Sequence, residues 1–349
     1  MFDLQDFSDH EEVVMHYDKK SGLQAIIAIH NTNLGPALGG CRMFPYSSSQ
    51  DALEDVLRLS SGMTYKAALA NLPQGGGKAV IIGDPRAAKS DAMMHALGRL
   101  VQSLDGRYII AEDSGISVND IQRAGTQTQF VGGVQAKFDY LGGEADGNPA
   151  IATAYGVFNA IKASVAFHMG DDLAGKKIAI KGLGQVGYRL AEHLHRAGAE
   201  LFVSDVYPHA LQQAQSKLNA QVVDNEHIDT LDVDVFAPCA LGKAIHANNV
   251  DKIKARVIAG AANNQLASSD LGERLHQRGI LYAPDYVANA GGIIDIYHQS
   301  IDSTPAALKQ HLEDIGQTLR NIFEISQAES QSTARVADRM AEHKFSLQD

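Results

Sequence analysis

Residues 177–205 read KIAIKGLGQVGYRLAEHLHRAGAELFVSD. An apolar run from Lys177 to Lys181 leads directly into Gly182, Gly184 and Gly187. An amphipathic stretch from Gln185 to Ala197 and a second apolar run from Glu200 to Ser204 follow. Strand, GxGxxG turn, helix and strand is the opening of a doubly wound dinucleotide-binding sheet, and this context gives an otherwise weak motif its weight. The first glycine permits the tight turn, the second lets backbone approach a pyrophosphate, and the third lets helix pack on strand. Gln185 and Val186 lie between the last two, at the helix N-terminus where phosphate would sit. Asp205 ends the second strand about 20 residues after the motif begins, where a carboxylate accepts hydrogen bonds from the adenosine ribose of NAD and repels the 2′-phosphate of NADP. The glycines are also compatible with an ordinary tight turn, and Asp205 with a cap for the segment after Pro208.

Strands near Asp234, Val257 and Ile280 continue the parallel pattern downstream. Upstream, Leu23–Ile29, Lys78–Ile82 and Arg107–Ala111 read as strands. A helix with Asp51 and Glu54 as its N-terminal cap delivers Lys66 near its end, and another spans Asp91–Leu104. The Gly, Asp, Asn and Pro of YLGGEADGNP, Tyr140–Pro149, suit a hinge. Two α/β domains are expected, 1–138 and 139–329, with a C-terminal helix at about 330–349 packing back on the first.

The chain has 349 residues, 45% of them apolar, enough for two cores. A net charge of −11 without a Lys/Arg run argues against nucleic acid as a partner. Cys41 and Cys239 are far apart and the histidines lack ligand spacing, so neither a disulfide nor a metal is expected. The acidic start resembles no secretory signal, and apolar runs such as Ile26–Ile29 fall short of the roughly 20 residues that span a bilayer, so a cytoplasmic, membrane-free protein is expected.

Lys66 and Lys78 flank the segment that carries Gly75, Gly76 and Gly77. Three glycines entering a strand suit a place where a ligand lies against backbone, within reach of the next lysine. Two solvated lysines beside a loop would read the same way.

These and other segments resemble the glutamate, leucine, phenylalanine and valine dehydrogenase family. The resemblance rests on LGGCRM (Leu38–Met43), GMTYK (Gly62–Lys66), GGGK (Gly75–Lys78), AED (Ala111–Asp113), GLGQVG, APCALG (Ala237–Gly242), GAANNQL (Gly260–Leu266) and APDYVANAGG (Ala283–Gly292), in order over nearly the whole chain. Within the family it looks most like the leucine enzymes. The resemblance implies an N-terminal α/β substrate and oligomerisation domain, a Rossmann NAD domain and a homo-oligomer. It implies reversible conversion of an apolar L-amino acid to the 2-oxo acid, ammonium and NADH. Lys66 would bind the substrate carboxylate, Lys78 activate water and Asp113 move protons. Leu38, Gly39, Gly40, Met63, Ala111, Ile293 and Ile296 would line the substrate site, Leu38 standing where glutamate-specific relatives carry a lysine. Asn263 and Asn264 would lie beside the nicotinamide and the substrate carboxylate, and Cys239 and Ala240 beside the cofactor.

Overall fold

The computed structural model describes residues 2–4, 6–135, 148–240 and 242–346, which form two compact units. The first comprises residues 1–148, 296–303 and 341–349, the second 149–295 and 304–340. The expected boundary at 138/139 and most of the expected hinge lie outside the described residues.

The first unit runs β1 (Glu12–Asp18), β2 (Leu23–Asn31), β3 (Ala37–Phe44), α1 (Ser49–Leu69), β4 (Gly75–Ile82), α2 (Asp91–Ser103), β5 (Tyr108–Glu112) and α3 (Val118–Ala124). Its mixed sheet has the order β1-β2-β4-β3-β5, with β1 and β2 antiparallel to their neighbours and β3 parallel to β4 and β5. β2 is apolar on both faces because both are covered. Ile27 and Ile29 join the cluster built with α2, while Ile26 and Ala28 join Ala52, Val56 and Leu57 of α1. The cap of α1 differs from the expected Asp51/Glu54 pair. Ser48 is the N-cap and accepts from the Asp51 N–H, which leaves Asp51 in the first turn, where its charge suits the helix dipole.

The second unit contains α4 (Ala150–Met169), β6 (Lys177–Lys181), α5 (Gln185–Arg196), β7 (Glu200–Ser204), α6 (Pro208–Leu218), β8 (Gln221–Val222), β9 (Val235–Pro238), β10 (Val257–Ile258), α7 (Asp270–Gln277), β11 (Leu281–Tyr282) and α8 (Asp285–Ala288). Helices α9 (Gly291–Ser300), α10 (Pro305–Glu329) and α11 (Thr333–Phe345) complete the chain, and the division between units falls within α9 and α11. The sheet is parallel throughout, in the order β8-β7-β6-β9-β10-β11. That is the doubly wound arrangement whose direction switches between β6 and β9. α4 is long and apolar enough to cross a membrane by composition, but it packs against α5 and α10 and carries Asn159 and Lys162.

Candidate active site

In the first unit, β3 sets Leu38 beside Gly76 of β4 and Ile109 of β5, Gly40 beside Ala111, and Arg42 beside Val80. Residues paired across a ladder share a face. Leu38, Gly40 and Arg42 therefore lie on the same face as Lys78, Ile109 and Ala111, the face α1 covers. A Cβ on Gly76 would come within 2.1 Å of the Thr64 backbone nitrogen, so this glycine lets α1 sit directly on the strand. The glycines before Lys78 thus answer to protein packing: added Cβ atoms at Gly75 and Gly77 would meet Asn31 O at 2.0 Å and the Tyr108 ring at 2.8 Å. That differs from the expectation of a ligand lying against them, and β4 begins at Gly75, three residues before the expected Lys78.

Lys78 is buried, with Nζ 3.0 Å from Oδ2 of Asp113, just beyond β5. Gly40 makes room for that carboxylate, since its missing Cβ would lie 2.8 Å from the Cβ of Asp113. Arg42 Nε donates to the same Oδ2 at 3.1 Å. Burial pushes the Asp113 carboxyl up, but the charges of Lys78 and Arg42 and the hydrogen bonds from Lys78 and the Ser114 backbone outweigh it and hold the group down at about 2. Lys66 lies half-buried in the last turn of α1, where its charge meets the negative end of the helix, and Met63 lies half-buried one turn earlier. The C-terminal segment also belongs to this unit: Tyr65 donates to Glu342 at 2.9 Å and Lys344 to the Ala68 carbonyl at 3.1 Å.

Leu38 and Ala111 are buried. Residues 130–132 run alongside β5, with Ile110 N–H donating to Phe130 O at 3.1 Å and Gly132 N–H to Ile110 O at 2.8 Å. A Cβ on Gly132 would meet Ile296 at 2.9 Å and both Ile109 and Leu38 at 3.5 Å. Leu38 and Ile296 are thus brought around one point, joined by Ile109 and Gly132, which the sequence reading missed. Ile109 was recoverable, because a residue two before Ala111 on a strand must share its face. Beside Gly132 and Ile296 lies a cavity lined also by Val131, Gly133 and Val134 and by polar Gln129, Gln135, Gln299 and Ser300, while Leu38, Ile109 and Lys78 are not among its lining residues.

In the second unit, Gly182 turns out of β6 with φ +100°, a conformation that favours glycine, and a Cβ there would meet Ala240 N at 2.7 Å and Cys239 C at 2.9 Å. The turns after β6 and β9 therefore touch at the switch point. Gly187 brings α5 onto this turn, its missing Cβ being 2.0 Å from Gly182 O. Gly184 faces open space, and it caps α5 without any side-chain hydrogen bond. Gln185 is exposed and Val186 half-buried in the first turn of α5. A backbone cradle with uncapped N–H groups fits the pyrophosphate of a dinucleotide. Asp205 accepts from Leu183 N–H at 2.5 Å and from Tyr207 N–H at 2.8 Å, and exposed Val206 and Tyr207 offer apolar surface beside it. Burial pushes the Cys239 thiol up to about 12. Asn263 and Asn264 are exposed on a loop braced by Gln265, which donates to Gly260 O and Ala262 O at 3.0 Å each. Asn289 donates to Asn263 Oδ1 at 2.8 Å, and Asn264 adopts φ +53°. Ile293 is buried in this unit.

Residues 8–130 match the Glu/Leu/Phe/Val dehydrogenase dimerisation domain, and residues 142–208 and 205–344 match Glutamate/Leucine/Phenylalanine/Valine dehydrogenase. The chain is 46% identical over 346 residues to leucine dehydrogenase of Bacillus cereus, covering 99% of this chain and 93% of that protein. It is 42% identical over 342 residues to phenylalanine dehydrogenase of Lysinibacillus sphaericus, covering 96% and 88%. The crystal structure of L-tryptophan dehydrogenase from Nostoc punctiforme superposes with a TM-score of 0.83 at 42% identity, covering 97% of this chain and 96% of that one. With the doubly wound sheet, the paired Lys78 and Asp113 and these matches along the whole chain, the protein is an amino acid dehydrogenase of the glutamate, leucine, phenylalanine and valine dehydrogenase family.

Proposed function

We propose that the enzyme oxidatively deaminates a branched aliphatic L-amino acid, leucine, valine or isoleucine, with NAD as the oxidant. The family is nicotinamide-dinucleotide-dependent, and NAD, when bound, accepts hydride from the substrate Cα. Gly182, Gly184, Gln185, Val186 and Gly187 would hold its pyrophosphate, Asp205 its adenosine ribose, and Cys239, Ala240 and Asn263 would flank it. Lys66 would bind the substrate carboxylate, and Asn264 stays with Asn263 on the loop of the dinucleotide-binding unit. Asp113, kept ionised, accepts a proton from the substrate ammonium so that the nitrogen lone pair can form the imine. Lys78 would act as the base that takes a proton from the water attacking the imine carbon. Ammonium then leaves the 2-oxo acid.

The observation that carries the substrate class is the apolar meeting of Leu38, Ile109 and Ile296 at Gly132, on the sheet face that also bears Lys78. Gly39, Gly40, Met63 and Ala111 would complete that site within the first unit. A glutamate side chain there would bury a second carboxylate against aliphatic groups, at a cost of several kcal/mol. NADH formation measured across leucine, valine, isoleucine, phenylalanine, tryptophan and glutamate tests this. The three aliphatic substrates should all turn over, since one methylene is worth only about 1–3 kcal/mol, and glutamate should be worse than leucine by at least about a thousandfold in kcat/KM. A second reading, an aromatic substrate, draws on the comparable identity of the chain to a phenylalanine dehydrogenase and an L-tryptophan dehydrogenase. A highest kcat/KM for phenylalanine or tryptophan would replace the first reading with it.

A homo-oligomer built through the first unit is part of the same proposal. β1 is an edge strand that exposes Met15 and Tyr17, at 62% and 63%, beside a groove floored by Ile26 and Ile82. An exposed edge with large apolar side chains is a surface that natural proteins cover.

A further inference from the structure

Asp113 touches two cations, and the proposed chemistry accounts for one. Lys78 must become uncharged to take a proton from water, and at that moment it no longer neutralises the carboxylate. Arg42 cannot be deprotonated near neutral pH and so remains a cation throughout. It is also held in place: while Nε donates to Asp113 Oδ2 at 3.1 Å, Nη1 donates to Asp55 Oδ2 at 3.0 Å. Asp55 is itself anchored, accepting from Tyr46 OH at 2.7 Å and from Arg58 Nη2 at 2.6 Å. Arg42 lies in LGGCRM, on the same sheet face as Lys78, yet the carboxylate and water chemistry described above gives it no part.

We infer that Arg42 is a positioning residue for proton transfer: it fixes Asp113 Oδ2 beside Lys78 and remains as the carboxylate's cation when Lys78 is neutral. The inference rests on the acid-base reading of Lys78 and Asp113 proposed above. The titratable groups around Asp113 are Lys78 on β4, Arg42 and buried Cys41 on β3, Tyr46 just beyond β3, and buried Tyr108 on β5, with Asp55 behind Arg42 on α1. Cys41 and Tyr108 are both shifted upward by burial and stay neutral at working pH, so Lys78 and Arg42 are the cations of this set.

The test compares Arg42→Gln, Arg42→Lys, Asp55→Asn and Asp113→Asn with the parent protein. The measurements are kcat and kcat/KM for leucine oxidation against pH, the Kd for NAD, and the thermal midpoint. Removing one of the two cations that share Asp113 Oδ2 should favour the protonated form of the base beside it and move the acid limb of kcat/KM upward by about 1 pH unit, with kcat down at least about tenfold because Asp113 is no longer fixed. Arg42→Lys should restore the position of the limb, because it keeps the charge, but less of the rate, because one ammonium cannot span both carboxylates. NAD affinity should be unchanged in every variant. A rate loss that tracks the thermal midpoint while the limb stays put would show a merely structural arginine and overturn the inference, as would near-parental kcat in Arg42→Gln. If Arg42→Gln does not fold, Asp55→Asn decides, since it frees Arg42 with its charge intact: lower kcat with an unmoved thermal midpoint supports positioning, and parental kcat overturns it. Asp113→Asn separates the two readings: if it retains full turnover, the acid-base assignment itself fails, whereas an inactive Asp113→Asn beside a normal Arg42→Gln sinks only the role of Arg42.

Discussion

Two glycine-rich strand ends carry the two halves of this enzyme, and they use glycine for opposite purposes. Gly75, Gly76 and Gly77 are buried inside a strand flanked on both sides, and a Cβ on any of them would strike neighbouring protein atoms. In GLGQVG, Gly182 and Gly187 are likewise packed against protein, but Gly184 opens onto space at the head of an uncapped helix. The first run therefore lets a helix lie on a sheet so that Lys78 emerges in a fixed place. The second leaves a gap that a phosphate would fill. A glycine-rich stretch is evidence of close approach, and only the surroundings tell whether the neighbour is protein or ligand.

Lys78→Ala should cut kcat by at least about a hundredfold while leaving the Kd for NAD unchanged, because it removes an acid-base group from the first unit and nothing from the cradle. Steady-state kinetics and a fluorescence titration with NADH decide it, and weakened cofactor binding would blur the division of labour between the two ends. Gly76→Ala should cost about 1–3 kcal/mol in unfolding free energy, since Thr64 must retreat from the new methyl group. Denaturant unfolding measures this, and unchanged stability would mean that α1 yields more easily than a 2.1 Å approach implies.

Gly184→Ala inverts the pattern. Its Cβ meets no protein atom, so stability should hold within about 0.5 kcal/mol, while the Kd for NAD should rise about tenfold as the methyl group crowds the pyrophosphate. A stability loss without a binding loss would class this turn with the first one.

The smallest effect concerns acid. The Asp113 carboxyl sits at about 2, below its unfolded value of about 3.9, so its contribution to stability is fully present above about pH 4 and is lost as pH falls through the folded value. The stability gap between the parent protein and Asp113→Asn should therefore narrow steadily between about pH 4 and pH 2, and a gap independent of pH would mean that the ion pairs of Asp113 do not contribute to folding.

Much of the second unit was legible because its signals are local. The period of β6, the glycine spacing and the amphipathic run of α5 lie within one stretch of chain, and β6, α5 and β7 form one unit of strand, helix and adjacent parallel strand. The first unit resisted for the opposite reason. β1 and β3 were not recognised: β1 buries none of its residues fully and exposes Met15, His16 and Tyr17 in a row, and two glycines break the apolar run of β3. That β4 inserts between β2 and β3 is a long-range pairing that no local propensity encodes.

The candidate site divides along the same line. Residue type and spacing read the glycine turn as a dinucleotide site, whereas catalytic roles for Lys66, Lys78 and Asp113 were implied by the family resemblance, because such motifs travel with the local sequence. That Ser48 rather than Asp51 starts α1, that Ile109 and Gly132 join Leu38 and Ile296, and that Arg42 shares an oxygen of Asp113 with Lys78 were decided by the tertiary structure. Those relations join residues far apart in the chain, 71 positions for the Arg42–Asp113 pair, and only the packed sheet, by setting strand register and helix contact, brings such groups together.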